Sequence, residues 1–254
     1  VRLLPLRIAT RFLKASRLQT VLVVLGIAVG VSVQVFVGTL ITSLQASLID
    51  RTVGNSPHIT VESEDGGVIM DWEAMVEQIG QVDLVTQVSV AADGYALTPV
   101  DSTVSPILVR GFDISLSDAI YGLEGALYDG VMPAAGEAMI GRDLAEATSL
   151  GVGDDLQVLF SDGSDASLTI TALYDLKVSS INGVWVITTL ETAQGLFGMG
   201  QGVSSIEVQV SDVFAADTVA AEIEADLGPS TVIVDNWKAQ NESLLSGLQG
   251  QRAS

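Results

Sequence analysis

The longest apolar run in the chain is VLVVLGIAVGVSVQVFVGTLI, Val21 to Ile41, set inside a stretch from Leu18 to Ile49 that has no charged residue. At about 1.5 Å per helical residue this run reaches roughly 30 Å, the thickness of a bilayer's hydrocarbon core. A secretory leader has an apolar region of only about 7–15 residues. This run is longer and flows into Thr42–Leu48, which still reads as helix, so residues 18–49 are expected to form an uncleaved membrane helix and its extension.

After Asp50 the pattern breaks into short pieces. HITVES after Pro57 alternates like a strand, and Asp71 caps WEAMVEQI, whose Trp72, Met75, Val76 and Ile79 share one helical face. Two strand-like runs follow, Leu84–Leu97 and Val104–Phe112, divided by Pro99 and Asp101; Tyr121–Ala135 is Gly-rich and without period. A short strand at Ala138–Ile140 leads to a helix at Arg142–Leu150, stopped by Gly151. Asp154–Phe160 and Ser167–Leu173 form a predicted hairpin, followed by a strand at Val184–Ile187. Thr188 and Glu191 have the spacing of a capping box for a helix through Leu196. Then come a strand at Ile206–Val210, a helix at Val213–Leu227 capped by Asp212 and closed by Gly228 and Pro229, a strand at Val232–Val234, and a final helix at Asn236–Leu248. Strands and helices mix without a regular alternation, so residues 50–254 are expected to be α+β. Two lobes are expected: residues 50–112 with the C-terminal elements, and a lobe inserted at about 113–200.

Charge fixes the direction of the helix. Residues 1–17 hold Arg2, Arg7, Arg11, Lys14 and Arg17 and no acid; the rest holds six basic against 31 acidic residues, a net charge of −25. A basic head before an apolar span and an acidic body after it place the N-terminus in the cytoplasm and residue 50 onward outside. The basic head suits a short helix in the membrane interface or a plain topogenic cluster. The acidic body excludes nucleic acid as a partner, because it would repel a phosphate backbone. Within the span, Gly26 and Gly30 form a G-x-x-x-G pair and Gln34 is an amide at mid-membrane depth. Small residues let helices approach closely, and a buried amide seeks a partner, so these three residues are the candidates for packing against other membrane helices.

Other chemistry is sparse. With no cysteine, disulfides and thiolate metal sites are excluded, and His58 is the single histidine. GLFGMGQG, residues 195–202, follows a helix rather than a strand and lacks the spacing of a dinucleotide fingerprint. Asp162 and Asp165 lack the remainder of a calcium loop and suit a hairpin turn. No nucleophile stands beside a base, and no P-loop is present, so this chain is not expected to hydrolyse ATP itself. No catalytic, cofactor or metal residue is assigned.

Four stretches then carry a resemblance: RIATRFLKASRLQTVLVVLGIAVGVSV at the N-terminus, IGRDLAEATSLGVGDDLQVLF at residues 140–160, LTITALYD at 168–175 and VWVITTLETAQGLFG at 184–198. In this order they resemble the first half of an FtsX-like/MacB-like ABC transporter permease. The tail NWKAQNESLLSGLQ resembles the segment leading to that family's second membrane helix. The resemblance implies a dimeric permease in the cell membrane, contacting lipid, a second permease copy and a separate ABC-type ATPase subunit. It implies an outer domain that relays ATP-driven motion to export or release of a lipoprotein, peptide or drug. The chain starts at Val1 and stops at Ser254, before that second helix, and so reads as a piece of a longer protein. Two other readings stand beside this one: a single-pass membrane-anchored binding or scaffold protein, and a membrane-anchored enzyme.

Overall fold

The computed structural model describes residues 17–53, 56–101, 103–228 and 231–240. The basic N-terminal segment through Ser16 and the last helix beyond Gln240 lie outside these residues. The chain divides into two compact units, residues 1–54 and 55–254.

The first unit contains α1 (Arg17–Val53), a helix of 37 residues. At 1.5 Å per residue it is about 55 Å long, so it continues well past a bilayer core of about 30 Å. Its apolar span is Val21–Leu40. Valines, leucines and Phe36 are exposed all around this span, as expected of a helix whose solvent is lipid.

The second unit is built on one mixed ten-stranded sheet. In chain order its elements are β1 (Ile59–Ser63), α2 (Trp72–Ile79), β2 (Val85–Val100), β3 (Thr103–Phe112), α3 (Ile114–Tyr121), α4 (Leu123–Ala126), β4 (Leu127–Gly130), β5 (Glu137–Gly141) and α5 (Arg142–Thr148). They continue with β6 (Asp155–Leu159), β7 (Asp165–Tyr174), α6 (Ser179–Asn182), β8 (Trp185–Thr189), α7 (Leu190–Phe197), β9 (Ser205–Val210), α8 (Ala216–Leu227), β10 (Val232–Asn236) and α9 (Trp237–Gln240). The strand order is β10-β1-β9-β2-β3-β8-β5-β7-β4.

At one end β1 is flanked by β10 and β9, both antiparallel to it. Ile59, the first residue of β1, stands opposite Asn236, the last of β10. The chain therefore comes into the domain and leaves its last strand at the same corner. Trp237 N–H donates to the His58 carbonyl (3.0 Å) and its indole to the Val213 carbonyl (2.7 Å), tying that corner to the sheet. Ile59, Val61, Val90, Ile206 and Val208 are all buried, as are Val219, Ala220 and Ile223 of α8.

At the other end β6 pairs with β7 along its length and with β2 through Leu97 opposite Leu159. That bridge closes β2, β3, β8, β5, β7 and β6 into a ring of six strands. Alternation sends Ala96, Ile107, Val109, Ile140, Leu156, Val158, Ile170 and Val186 inward, where α5 and α7 contribute Leu144 and Leu196. Two glycines admit α7. A Cβ on Gly111 would overlap Ala193 and meet the Thr189 carbonyl at 3.0 Å, and one on Gly94 would overlap the Phe197 ring. Residues 113–200, expected as an inserted lobe, supply four of the six ring strands; β2 and β3 supply the other two, so the ring does not close without residues 85–112.

Several boundaries move for local reasons. Thr189, one residue later than expected, caps α7, its hydroxyl accepting from Thr192 N–H. The helix at Arg142 ends at Thr148, with Ser149 in the left-handed conformation (φ 58°), two residues before Gly151. Asp212 accepts from Phe214 N–H, but it opens a 3₁₀ turn (Val213–Ala215) before α8 begins. The sequence reading missed α3, although Asp113 accepts from Ser115 N–H and Gly122 closes it in the left-handed conformation.

Candidate functional site

On α1, Gly26, Gly30 and Gln34 recur every four residues, as does Gly38 further along, so they form one ridge. The Cβ positions of Gly26 and Gly30 are open, and Gln34 is exposed among apolar neighbours. The ridge is a shallow track of small and polar residues on an otherwise Val/Leu/Ile surface.

In the second unit the buried charge lies at the middle of the sheet. Arg110 of β3 is 6% exposed and Glu207 of β9 2% exposed. Register brings them together: Arg110 stands opposite Asp93 on β2, and Glu207 stands opposite Ser89 on the same strand and the same face. Arg110 Nη2 donates to Glu207 Oε1 (2.6 Å) and to Asp93 Oδ2 (2.8 Å), and Nε donates to Asp93 Oδ1 (2.9 Å). Nη1 donates to Tyr121 Oη (3.0 Å), which in turn donates to Glu207 Oε1 (2.8 Å). Three rings enclose the guanidinium, with centroids 4.3 Å (Trp185), 4.8 Å (Phe112) and 5.6 Å (Tyr121) from Cζ. Burial works against the arginine's charge, but Glu207, Tyr121 and Asp93 outweigh it and hold its pKa well above the usual value. Burial, then the Glu207 charge, pushes the Tyr121 hydroxyl up.

Arg110 itself keeps its proton and acts here as a fixed charge. Its effect is to pin five elements at one point: β3 itself, β2 through Asp93, β9 through Glu207, α3 through Tyr121 and β8 through Trp185. It therefore joins the end of the sheet that carries β1 and β10 to the six-stranded ring. The sequence reading passed over it; the available signal was a lone arginine inside the apolar strand PILVRGF.

A second network fixes the loop after β7. Asp175 accepts from Lys177 Nζ (2.7 Å) and backbone N–H (2.9 Å), from Asn182 Nδ2 (2.8 Å) and from Arg142 Nη1 (2.8 Å). The Lys177 hydrogen bonds, then Asn182 and Arg142, hold its carboxyl far below the usual range. Lys238 pairs with Asp217 (2.7 Å). Arg110, Arg142, Lys177 and Lys238 are the only cations of residues 55–240, against 29 acids, and each is engaged in an ion pair.

The remaining sequence candidates are structural. Asp162 accepts from Ser164 N–H and Oγ in the β6–β7 turn, and those hydrogen bonds lower its pKa. His58 is buried, with Nδ1 accepting from Val210 N–H (3.1 Å). Among the described residues no group of three His, Asp or Glu side chains could hold a metal.

A family model for the MacB-like periplasmic core domain matches residues 20–226. The lipoprotein-releasing system transmembrane protein LolC of Xylella fastidiosa (strain Temecula1 / ATCC 700964) is 24% identical over 269 residues, covering 98% of this chain and 64% of that protein. LolC of Neisseria meningitidis serogroup B is 19% identical over 261 residues, covering 95% and 63%. The chain thus spans somewhat under two thirds of the curated relatives it matches. In fold it is similar to the crystal structure of the periplasmic region of MacB from Actinobacillus actinomycetemcomitans, with a TM-score of 0.51 and 11% identity over 77% of this chain and 95% of that one.

Proposed function

This chain belongs to the MacB-like periplasmic core domain family, and from that premise we propose that it is the N-terminal part of an ABC transporter permease. One observation carries the reading: the family match begins inside α1 and runs on through the outer domain, so membrane helix and domain are recognised as one unit rather than as an anchor with unrelated cargo. The N-terminus lies in the cytoplasm, with residues 50–254 outside. ATP is hydrolysed by a separate ABC-type subunit, and two permease copies share the membrane, the Gly26–Gly30–Gln34 ridge packing against neighbouring helices. The outer domain relays the motion. Its two chain connections meet at the β1–β10 corner, and the Arg110 cluster links that corner to the ring, so displacement at one is passed to the other. The substrate follows the LolC relatives and is a lipid-modified or similarly apolar polypeptide released from the membrane.

The test is co-expression of the full-length protein with the ATP-binding cassette subunit encoded beside it. Joint purification, and ATP-dependent release of a lipoprotein from proteoliposomes, are the expected results. A full-length protein with no further apolar spans, or one that never purifies with an ATPase, would sink the reading.

A further inference from the structure

Beneath α3 the sheet carries a polar seam between β2 and β9. Gln87 stands opposite Gln209, and Ser89 stands opposite Glu207, two residues along on the same face. At the glutamine pair the side chains are long enough to reach the helix above. Gln87 Nε2 donates to the Leu116 carbonyl (3.3 Å) and Gln209 Nε2 to the Ile120 carbonyl (3.4 Å). At the next pair Ser89 is too short to do so, and Glu207 turns its Oε1 to Arg110 and Tyr121. Ser89 is 1% exposed and Glu207 2%, and α3 closes over them, with Ser117, Ile120 and Tyr121 themselves buried. Ser89 Oγ and Glu207 Oε2 each lack a hydrogen-bond partner among the described residues, and so do not bond each other.

Buried polar atoms are rarely left without a partner. Directly opposite residues on one face have Cβ atoms about 4.5–5.5 Å apart, so these two atoms border the same small space. A carboxylate oxygen only accepts, whereas a hydroxyl both donates and accepts. Whatever joins them must be small and must bring a hydrogen to Oε2. A metal ion does neither, and among the described residues no group of three His, Asp or Glu side chains could hold one. We propose that Glu207 Oε2 and Ser89 Oγ hold one internal water molecule under α3, which donates one hydrogen to Oε2 and bonds the Ser89 hydroxyl. An internal water makes about 2–4 hydrogen bonds, and these two atoms supply the first two. The water adds a member to the Arg110 cluster. It joins β2 to β9 on this face a second time, through Ser89, beside the link that runs from Asp93 through Arg110 to Glu207. The inference stands on this seam alone and is independent of any role in transport.

The test is a crystal structure of the full-length protein in a lipid phase, at a resolution that shows ordered water, with Ser89→Asn and Ser89→Leu compared in solution. The expected result is one peak at about 2.7–3.0 Å from both Glu207 Oε2 and Ser89 Oγ. Ser89 Oγ bonded directly to Oε2, or no peak beside either atom, overturns the proposal. A peak ringed by six or more oxygens at about 2.3–2.6 Å is a calcium ion and overturns it as well. The two variants have side chains of nearly equal size and each fills the water's place, but only asparagine brings an N–H to Oε2. In urea, the unfolding midpoint of Ser89→Leu is expected roughly 0.5 M below that of Ser89→Asn. Equal midpoints show that Oε2 needs no donor and overturn the proposal without a crystal. The parent structure decides by itself if neither variant folds.

Discussion

Replacing Arg110 by Met tests the buried cluster most directly. The substitution keeps an unbranched apolar stem but removes the guanidinium that lies between the Trp185 and Phe112 rings, 4.3 and 4.8 Å away, leaving Glu207, 2% exposed, without its 2.6 Å partner. Breaking a buried pair on one side costs about 3–5 kcal/mol. The lost cation–π contacts contribute on the order of 1 kcal/mol more, partly overlapping that figure. The chain in detergent can be unfolded in urea and followed by tryptophan fluorescence, with Trp185 reporting from 4.3 Å away. With an m-value of about 3 kcal/mol/M, a loss of about 4.5 kcal/mol moves the midpoint down by roughly 1.5 M. The double variant Arg110→Met/Glu207→Leu removes the stranded charge, and Asp93, with a side chain 24% exposed, retains contact with water. It is therefore expected to recover at least half of the loss. A single variant within about 1 kcal/mol of the parent, or a double variant no better than the single, would show that the cluster is not held by its charges.

Gly111→Ala places a methyl against Ala193 and the Thr189 carbonyl and is expected to cost about 1–3 kcal/mol by overpacking; unchanged thermal unfolding would mean that α7 shifts freely. Asp175 has its carboxyl held below the usual value, so its contribution to stability is present above about pH 4 and is lost as pH falls through the depressed value. Asp175→Asn should therefore be destabilised at pH 7 and approach the parent as the medium is acidified, and a parallel offset at every pH would refute the linkage. Raising NaCl from 0.05 M to 1 M should raise the thermal midpoint of the second unit, since the screening length shortens to about 3 Å and the acids of the surface cease to repel; a falling midpoint would show attractive pairs to dominate.

What the sequence revealed follows from how local the signals are. The apolar run 21–41, the alternation of HITVES and the Asp212 and Gly228 punctuation act within a few residues, and each marks an element or its edge in the structure; Asp71, expected to cap α2, stands just before it but makes no side-chain cap hydrogen bond. The resemblance to FtsX-like/MacB-like permeases rested on the order of such pieces and is borne out by the family match. Helix α3 was missed because ISLSDAIY has only two turns in which to show a period, and its burial comes from Tyr121 entering the Arg110 cluster, a tertiary fact. That cluster was illegible for the same reason. Asp93, Arg110, Tyr121 and Glu207 span more than a hundred positions, and only the β2–β3 and β2–β9 registers bring them together. The closed ring likewise hangs on one bridge, Leu97 to Leu159, that no spacing announces.

The pairing of Ile59 with Asn236 has a consequence for how such a domain can be handled and inherited. Neighbouring strands lie about 4.8 Å apart, so the two ends of the 59–236 fold are a single strand's width from each other. A segment whose ends coincide can be cut out and set into a short loop of another protein without prising that loop open, and its own ends can be joined and new ones opened elsewhere. A circular permutant joined across this corner and opened in the exposed β6–β7 turn at Gly163 keeps every strand partner of the parent, which makes the domain a transferable cassette rather than a stretch of chain bound to its place in the gene.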